Sequence, residues 1–148
     1  MRELKFRGWH VAKGIMFSTE EMTSAQLVLL PTGTFTDISG RTTRLSDIYP
    51  RDKFIPLQYT GLKDKNGVEI YEGDIVKDRL LDTKTKQPDV ERVFEVYWHS
   101  ETASFWQKLI TDPTQEFRAG FNFAAEKHCE VIGNIYENPE LLEETGET

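Results

Sequence analysis

A chain of 148 residues, 38% hydrophobic and 29% charged, can bury a core without disulfide or metal staples, which fits one domain or two small lobes. No apolar run approaches the roughly 20 residues of a membrane helix, and MRELKFRGWH leads into no hydrophobic signal segment. The single cysteine, Cys129, excludes an intramolecular disulfide, so we expect a cytoplasmic protein. The net charge of −7 disfavours double-stranded DNA as a partner. Because no segment is suited to cross a membrane, we expect no membrane binding.

The N-terminal third predicts short strands separated by turns. ELKFRGWH alternates with period two, which indicates a first strand, and Gly14 marks a turn into IMFS. SAQLVLLPTGTFTDI favours a strand that ends at 31–33, although the segment could instead open as a short helix. A short helical turn is an alternative to an extended connector at 45–49. We therefore predict a small N-terminal β-rich lobe over residues 1–53.

The stretch YTGLKDKNGVEIYEGDIVK is either a glycine-rich ligand loop or a well-signalled piece of β-structure. Its glycines fall six residues apart, at Gly61, Gly67 and Gly73. A P-loop needs G-x-x-x-x-G-K-[ST] and a dinucleotide site needs G-x-G-x-x-G, and neither spacing occurs. Apolar alternation before and after Asn66-Gly67, resuming at Val68 and Ile70, is typical of a β-hairpin. The sequence thus predicts that these glycines serve backbone geometry.

Residues 54–148 predict further strands that curl into a small barrel. GDIVKDRLL and ERVFEVYWH are joined by the polar link DTKTKQPD, HSET turns into ASFWQKLI, and CEVIGNI closes the series. FNFAAEKH could form a helical turn, and Asn138-Pro139-Glu140 is a helix-start signature in which Asn138 accepts a backbone N–H. Five strand candidates between Phe54 and Ile135 fit a strongly bent barrel, because closing a sheet removes its exposed edges.

Residue types that carry chemistry are present without the spacing that chemistry needs. No G-x-S-x-G elbow occurs, and no two of the three histidines have metal-ligand spacing: His10, His99 and His128. As neighbours in a strand, His128 and Cys129 would point to opposite faces, which favours a buried structural cysteine. Glu72 and Asp74 could form a carboxylate pair, but the intervening Gly73 favours Asp74 as a turn cap. We therefore predict no catalytic, cofactor-binding or metal-binding residues, and a protein that is not an enzyme.

Two adjacent aromatic pairs lie on consecutive predicted strands, Tyr97/Trp98 and Phe105/Trp106. In a regular strand one member of each pair faces outward. Small barrels bind single-stranded nucleic acid or peptides on such rings, but nucleic acid would favour interleaved Lys and Arg, and the neighbours here are Glu95, His99 and Glu101. The pattern favours one face as core and the other as covered, by the N-terminal lobe or by another subunit.

Three segments together resemble the YopX family of phage and prophage proteins: ELKFRGWH, QYTGLKDKNGVEIYEGDIVK and VIGNIYENPELLEE. The resemblance implies a C-terminal SH3-like small β-barrel, no established catalytic residues, and a homo-oligomer such as a trimer. On the matching positions it implies hairpin, turn and strand-end roles for Tyr59, Gly61, Gly67, Gly73, Asp74, Gly133, Asn134, Asn138 and Pro139.

These observations leave several hypotheses of function. The leading one is a phage or prophage accessory protein that acts as a non-enzymatic module for protein–protein contact, with itself or with a host or phage protein. The alternatives are a β-barrel that associates with single-stranded nucleic acid, and an acidic decoy that occupies a host DNA-binding protein. A small hydrolase ranks last, because no activated nucleophile is visible in the sequence.

Overall fold

The computed structural model describes residues 3–39, 48–49, 53–80, 90–110, 119–120 and 125–143. This part of the chain is mainly β, as the sequence predicts. Contacts divide the chain into two compact units, Met1–Tyr59 and Thr60–Thr148. Compactness is not a test of independent folding, so the predicted domains, 1–53 and 54–148, stay a prediction.

Among the described residues, the eight strand pairings with a defined register are antiparallel. The elements up to the middle of the chain are β1 Phe6–His10, β2 Ile15–Phe17, α1 Thr19–Ser24, β3 Leu27–Leu29, β4 Phe35–Asp37, β5 Ile48–Tyr49 and β6 Phe54–Lys63. They are followed by β7 Glu69–Tyr71, β8 Asp74–Leu80, β9 Val90–His99, β10 Ser104–Leu109, β11 Ala119–Gly120, α2 Ala125–His128, β12 Glu130–Asn134 and a 3-10 helix over Pro139–Leu142.

The core of the first unit is built on aromatic rings. Strand β1 pairs with β2 on one side and with the first half of β6 on the other, while β3, β4 and β5 form a separate sheet. Phe54 is 1% exposed and packs edge-on against Phe35, with ring centroids 4.8 Å apart. Met22 of α1 completes the cluster, and each such buried side chain contributes about 1.5–3 kcal/mol. Gly8, on β1, leaves the space that the Phe54 ring occupies.

Helix α1 is an element that the sequence prediction missed. Its start is a capping box, in which the Ser18 hydroxyl accepts from the Glu21 N–H and the Glu21 carboxylate accepts from the Ser18 N–H. The helix ends at Ser24, so the predicted strand in SAQLVLL is confirmed as β3 and the alternative of a helix there is wrong. The helical turn considered at 45–49 is wrong at 48–49, which form β5, and 45–47 lie outside the described residues.

The predicted hairpin is confirmed as β6, a turn and β7. Gly67 has φ of +82°, which glycine adopts without steric cost, and its N–H donates to the Asp64 carbonyl over 3.0 Å. The second strand begins at Glu69, one residue later than predicted: Val68 is 48% exposed, and Ile70 is the first buried residue of β7. The positive φ of the turn explains why residue 67 is glycine, so the alternative of a glycine-rich ligand loop is not needed.

The second unit contains a five-stranded sheet in the order β11-β10-β9-β8-β12. This sheet contributes to an apolar cluster that is almost free of solvent exposure and that also includes Ile70 of β7 and Cys129: Ile70, Val76, Phe94, Val96, Leu109 and Cys129. A bulge in β12 between Val131 and Gly133 shifts its register against β8. The strands predicted in GDIVKDRLL, ERVFEVYWH, ASFWQKLI and CEVIGNI are confirmed, while the link DTKTKQPD lies outside the described residues.

The C-terminal helix start is confirmed, but its predicted cap is wrong. Pro139 occupies the first turn of a 3-10 helix, and Asn138 precedes it without capping its N–H groups. The Asn138 side chain instead accepts from the backbone N–H of Asn134, 3.3 Å away. Gly133 permits this contact, because a Cβ there would lie 2.5 Å from the Asn138 Oδ1. The side chain therefore fastens the strand end to the helix.

Candidate functional site

A buried carboxylate, Asp64, fastens the β6–β7 turn to β12. One oxygen accepts from the N–H groups of Asn66 and Val68, over 2.8 and 2.9 Å, and the other accepts from the Val131 N–H over 3.0 Å. The side chain is 3% exposed. The next residue strengthens the junction, since the Lys65 N–H donates to the Cys129 carbonyl. Asp64 is therefore structural, and its three backbone donors leave it poorly suited to hold a ligand.

The segment that contains Glu72 and Asp74, considered above as a carboxylate pair, forms a turn. Gly73 has φ of +83°, and the Asp74 carboxylate, 1% exposed, accepts from the Tyr71 N–H over 2.7 Å. The prediction that Asp74 caps this turn is confirmed. Glu72 lies within the turn itself rather than on a strand beside Asp74. The geometry does not present the two carboxylates side by side toward solvent.

Cys129 is fully buried, which confirms the predicted structural cysteine. Burial in apolar surroundings raises the pKa of the thiol to about 12, and the negative charges of Asp78, Asp64 and Asp74 add to the shift. His128 closes α2 rather than lying in a strand, so the prediction of opposite strand faces is wrong for this pair. The thiol is in any case not a poised nucleophile, because the thiolate is the reactive form.

This burial gives a measurable prediction. Native protein at pH 8 should resist iodoacetamide, whereas protein unfolded in guanidinium should be alkylated completely at Cys129. Because the thiol in the folded state ionises only near pH 12, against 9.0 ordinarily, unfolding becomes easier as pH rises through that window. Mass spectrometry of timed samples checks the alkylation, and rapid modification of folded protein would contradict the assignment.

A polar cleft of about 250 Å³ opens beside α2 in the second unit. Asp78 and His128 meet there, with 3.7 Å between Oδ1 and Nδ1, and the Gln107 amide lies 3.5 Å from the other oxygen of Asp78. Lys65 and Lys77 also line the cleft, and each forms an ion pair, with Glu130 and Glu91 respectively. Lys127 also lines the cleft, so its lining has three lysines and one histidine against the two carboxylates Asp78 and Glu91. Among the described residues, no group of three or more His, Cys, Asp or Glu side chains could hold a metal.

The predicted aromatic pairs lie on the β9–β10 hairpin with one member on each face. Trp98 lies opposite Phe105 and Tyr97 opposite Trp106, and paired residues share a face of the sheet. Phe105 is 8% exposed and packs edge-on against Trp98, with centroids 5.1 Å apart. Tyr97 and Trp106 therefore share the opposite face, where both are half-buried, while Trp98, at the end of the Phe105 side, is 38% exposed. Alternation predicted the division, and the register decides which two residues share the outer face.

Tyr97, His99 and Trp106 together form what we call the aromatic face. The His99 ring stacks on the Trp106 indole, with centroids 4.4 Å apart and an interplanar angle of 18°. The Lys108 ammonium lies 5.7 Å from the centre of the Tyr97 ring and 2.8 Å from the Glu95 carboxylate. All three residues of the face are half-buried. The result is a preorganised apolar surface bordered by one neutralised ion pair.

The rings of this face are held in place by hydrogen bonds at the hairpin end. The Trp106 indole N–H donates to the Ser104 hydroxyl over 3.0 Å, and the His99 Nδ1 accepts from the Thr102 N–H over 3.3 Å. Ala103 closes the turn with φ of +48°, an unusual value for a residue with a Cβ. Opposite Trp106, β11 has Gly120, which adds no side chain to that face. The short, tied loop fixes the orientation of the stacked rings.

Comparison with known proteins gives a family and a fold. A family model described as "YopX protein" matches residues 5–143. A solved structure titled "Crystal structure of protein EF1440 from Enterococcus faecalis" is similar, with a TM-score of 0.58 and 24% identity over 96% of this chain and 99% of that one. At that identity the likeness shows the fold alone, and no curated protein matches significantly. No helix in the described part of the chain is long and apolar enough to cross a membrane. The family match extends over nearly the whole chain, and the chain is therefore a member of the YopX family.

Proposed function

We propose that this chain is a phage or prophage accessory protein that works by protein–protein contact and not by catalysis, in the cytoplasm of a bacterial host. Membership of the YopX family supports the phage association. The one cysteine is buried with its pKa raised to about 12, which removes the strongest nucleophile in the chain. In this proposal the second unit is an SH3-like barrel that follows an N-terminal β-rich lobe and presents the aromatic face to a partner.

The aromatic face is the observation that carries the proposal. Aromatic residues are enriched where proteins meet, because a rigid ring buries a large apolar area at little cost in conformational entropy. Here Trp106 and Tyr97 lie opposite each other, and the indole is already stacked on His99. A surface that is ordered before binding loses less entropy on association. The face therefore suits a docking surface better than a flexible loop would.

A protein suits this face better than a nucleic acid. Lys108 is the one basic side chain that contacts a ring of the face in the described structure, and Glu95 already neutralises it. The net charge of the chain, −7, would further repel phosphates. A second copy of this chain is the partner we propose. Two such faces related by symmetry could exchange partners between Lys108 and Glu95 while burying both indoles.

Trp106→Ala should weaken self-association by about 30-fold or more, as expected for loss of a central interface tryptophan. Sedimentation over a concentration series measures the association. The parent should exceed the monomer mass of 17.1 kDa at tens of micromolar, and the variant should return to it. Trp98→Ala is the matched control, because it removes an indole from the neighbouring strand of the same hairpin, on the other face of the sheet.

Three results would contradict the proposal. A parent protein that sediments as a monomer at all concentrations contradicts self-association. Equal loss of association in Trp98→Ala and Trp106→Ala would point to damage of the hairpin, which thermal melts of both variants would reveal. A labelled single-stranded oligonucleotide could instead bind the protein, with binding that weakens as salt is added and is lost in Trp106→Ala. That result would show that the aromatic face binds nucleic acid rather than protein.

A further inference from the structure

A cavity of about 220 Å³ lies within the first unit, at the end of β1 and beside the corner that follows α1. Aromatic rings form one wall. The His10 imidazole packs edge-on against the Phe54 ring, with centroids 5.5 Å apart, and the centroid of the Phe17 ring lies 5.6 Å from that of Phe54. Leu27 adds an aliphatic side. Such a wall accommodates a flat ring through offset or edge contacts. The volume suits a ligand of roughly ten non-hydrogen atoms, smaller than a drug-sized molecule.

The polar rim of the cavity leaves a positive charge available. Lys13 lines it, and among the described residues no carboxylate forms an ion pair with the Lys13 ammonium. The acidic group on the rim, Asp37, accepts from the Ser39 N–H over 2.7 Å. An anionic ligand at this rim would supply the ion pair that the Lys13 ammonium lacks within the described residues.

A strained residue borders the same cavity. Gln26 follows the last residues of α1 with φ of +57°, a left-handed position at which helices usually end with glycine. Its backbone is fixed there, because its N–H donates to the Thr23 carbonyl and its carbonyl accepts from Ile38. Glycine would relieve the strain but would remove the side chain of a residue that lines the cavity. Strain kept at a cavity is a recognised mark of a binding site.

We propose that this cavity binds a small carboxylate that carries one aromatic ring. The ring packs against Phe17 and Phe54, and the carboxylate is held at the rim by the Lys13 ammonium and the Gln26 amide. The site belongs to the first unit and makes no use of the aromatic face.

The test uses the full chain and three probes of nearly equal size: phenylacetate, the neutral phenylacetamide and the cationic phenethylamine. Backbone amide shifts in a nitrogen-15 NMR titration should move at Lys13, Phe17, Gln26 and Leu27 with phenylacetate. A ligand this small should bind in the millimolar range. The amide should bind about fivefold more weakly and the amine more weakly still. Lys13→Gln should remove the preference for the carboxylate, while Lys53→Gln, a matched charge change outside the cavity, should retain it.

Gln26→Gly separates binding from structure. Relief of the left-handed strain should raise the melting temperature, whereas phenylacetate binding should fall about threefold or more because one hydrogen bond is lost. Absence of shifts with all three probes at tens of millimolar would overturn the proposal. Equal binding of the amine and the carboxylate would overturn the assigned ligand class. Unchanged phenylacetate binding in Gln26→Gly would overturn the role of that amide.

Discussion

Gly8→Ala is expected to destabilise the protein by about 2–3 kcal/mol, in the range for overpacking a core. A Cβ at Gly8 would overlap with Cε1 of Phe54 and lie 2.8 Å from Cζ of the same ring. Phe54 is 1% exposed and packs on Phe35, itself 2% exposed, so the ring has little room to move. The melting temperature should fall by roughly 5–10 °C, measured by circular dichroism.

A second substitution tests whether the loss comes from this one overlap. In Gly8→Ala/Phe54→Leu, the smaller side chain frees space for the added methyl group, so the double variant should be less destabilised than the two single changes predict together. Such non-additivity is the sign of direct contact. If Gly8→Ala melts like the parent, the first-unit core is not packed around Gly8 and Phe54 as described.

Asp64→Ala should cost about 3–5 kcal/mol, because it leaves three backbone N–H groups without their acceptor, those of Asn66, Val68 and Val131. Guanidinium denaturation should show a lower midpoint. Hydrogen exchange should rise at all three amides, including Val131, which is 67 residues away in the chain. Faster exchange at Val131 would report loss of the bond between Asp64 and β12, whereas simple loosening of the hairpin would affect only Asn66 and Val68.

Two control variants make the Asp64 result specific. Asp64→Asn keeps one carbonyl oxygen and should be intermediate, since its amide nitrogen cannot accept from the remaining N–H groups. Glu101→Ala removes the same charge from an exposed turn and should change stability by less than about 0.5 kcal/mol. Asp64→Ala with unaltered exchange at Val131 would show that the bond to β12 is unimportant.

Local signals in the sequence predicted the parts of the fold that depend on local geometry. Gly67 and Gly73 both have positive φ, at the turns that turn chemistry predicts. Period-two alternation predicted that one aromatic of each pair faces outward, since successive side chains of a strand point to opposite sides. The capping box Ser18–Glu21 was also a local signal for α1, but the helix has six residues and buries only Met22, which gives too short an apolar pattern to detect.

Contacts between distant residues could not be predicted in the same way. The Asp64 side chain has the usual appearance of a turn residue, yet one of its oxygens bonds to Val131, and nothing local to either residue indicates the other. Asn138 was expected to cap its own helix, but the close approach permitted by Gly133 directs it to Asn134. The cavity at Lys13 and Phe54 likewise brings together groups about forty residues apart, and only the fold shows that they share a wall.

The order of the five-stranded sheet has a consequence for how the chain emerges from the ribosome. Strand β12 lies beside β8, although β9, β10 and β11 come between them in the chain. Until Asn134 has been synthesised, β8 therefore has an unpaired edge, and such edges recruit other chains. The pairings of β1 with β2 and with β6 need nothing beyond Gln58, so they can form while the rest is still being translated. A prematurely terminated product would therefore expose the unpaired edge of β8, which makes it a target for quality-control proteases.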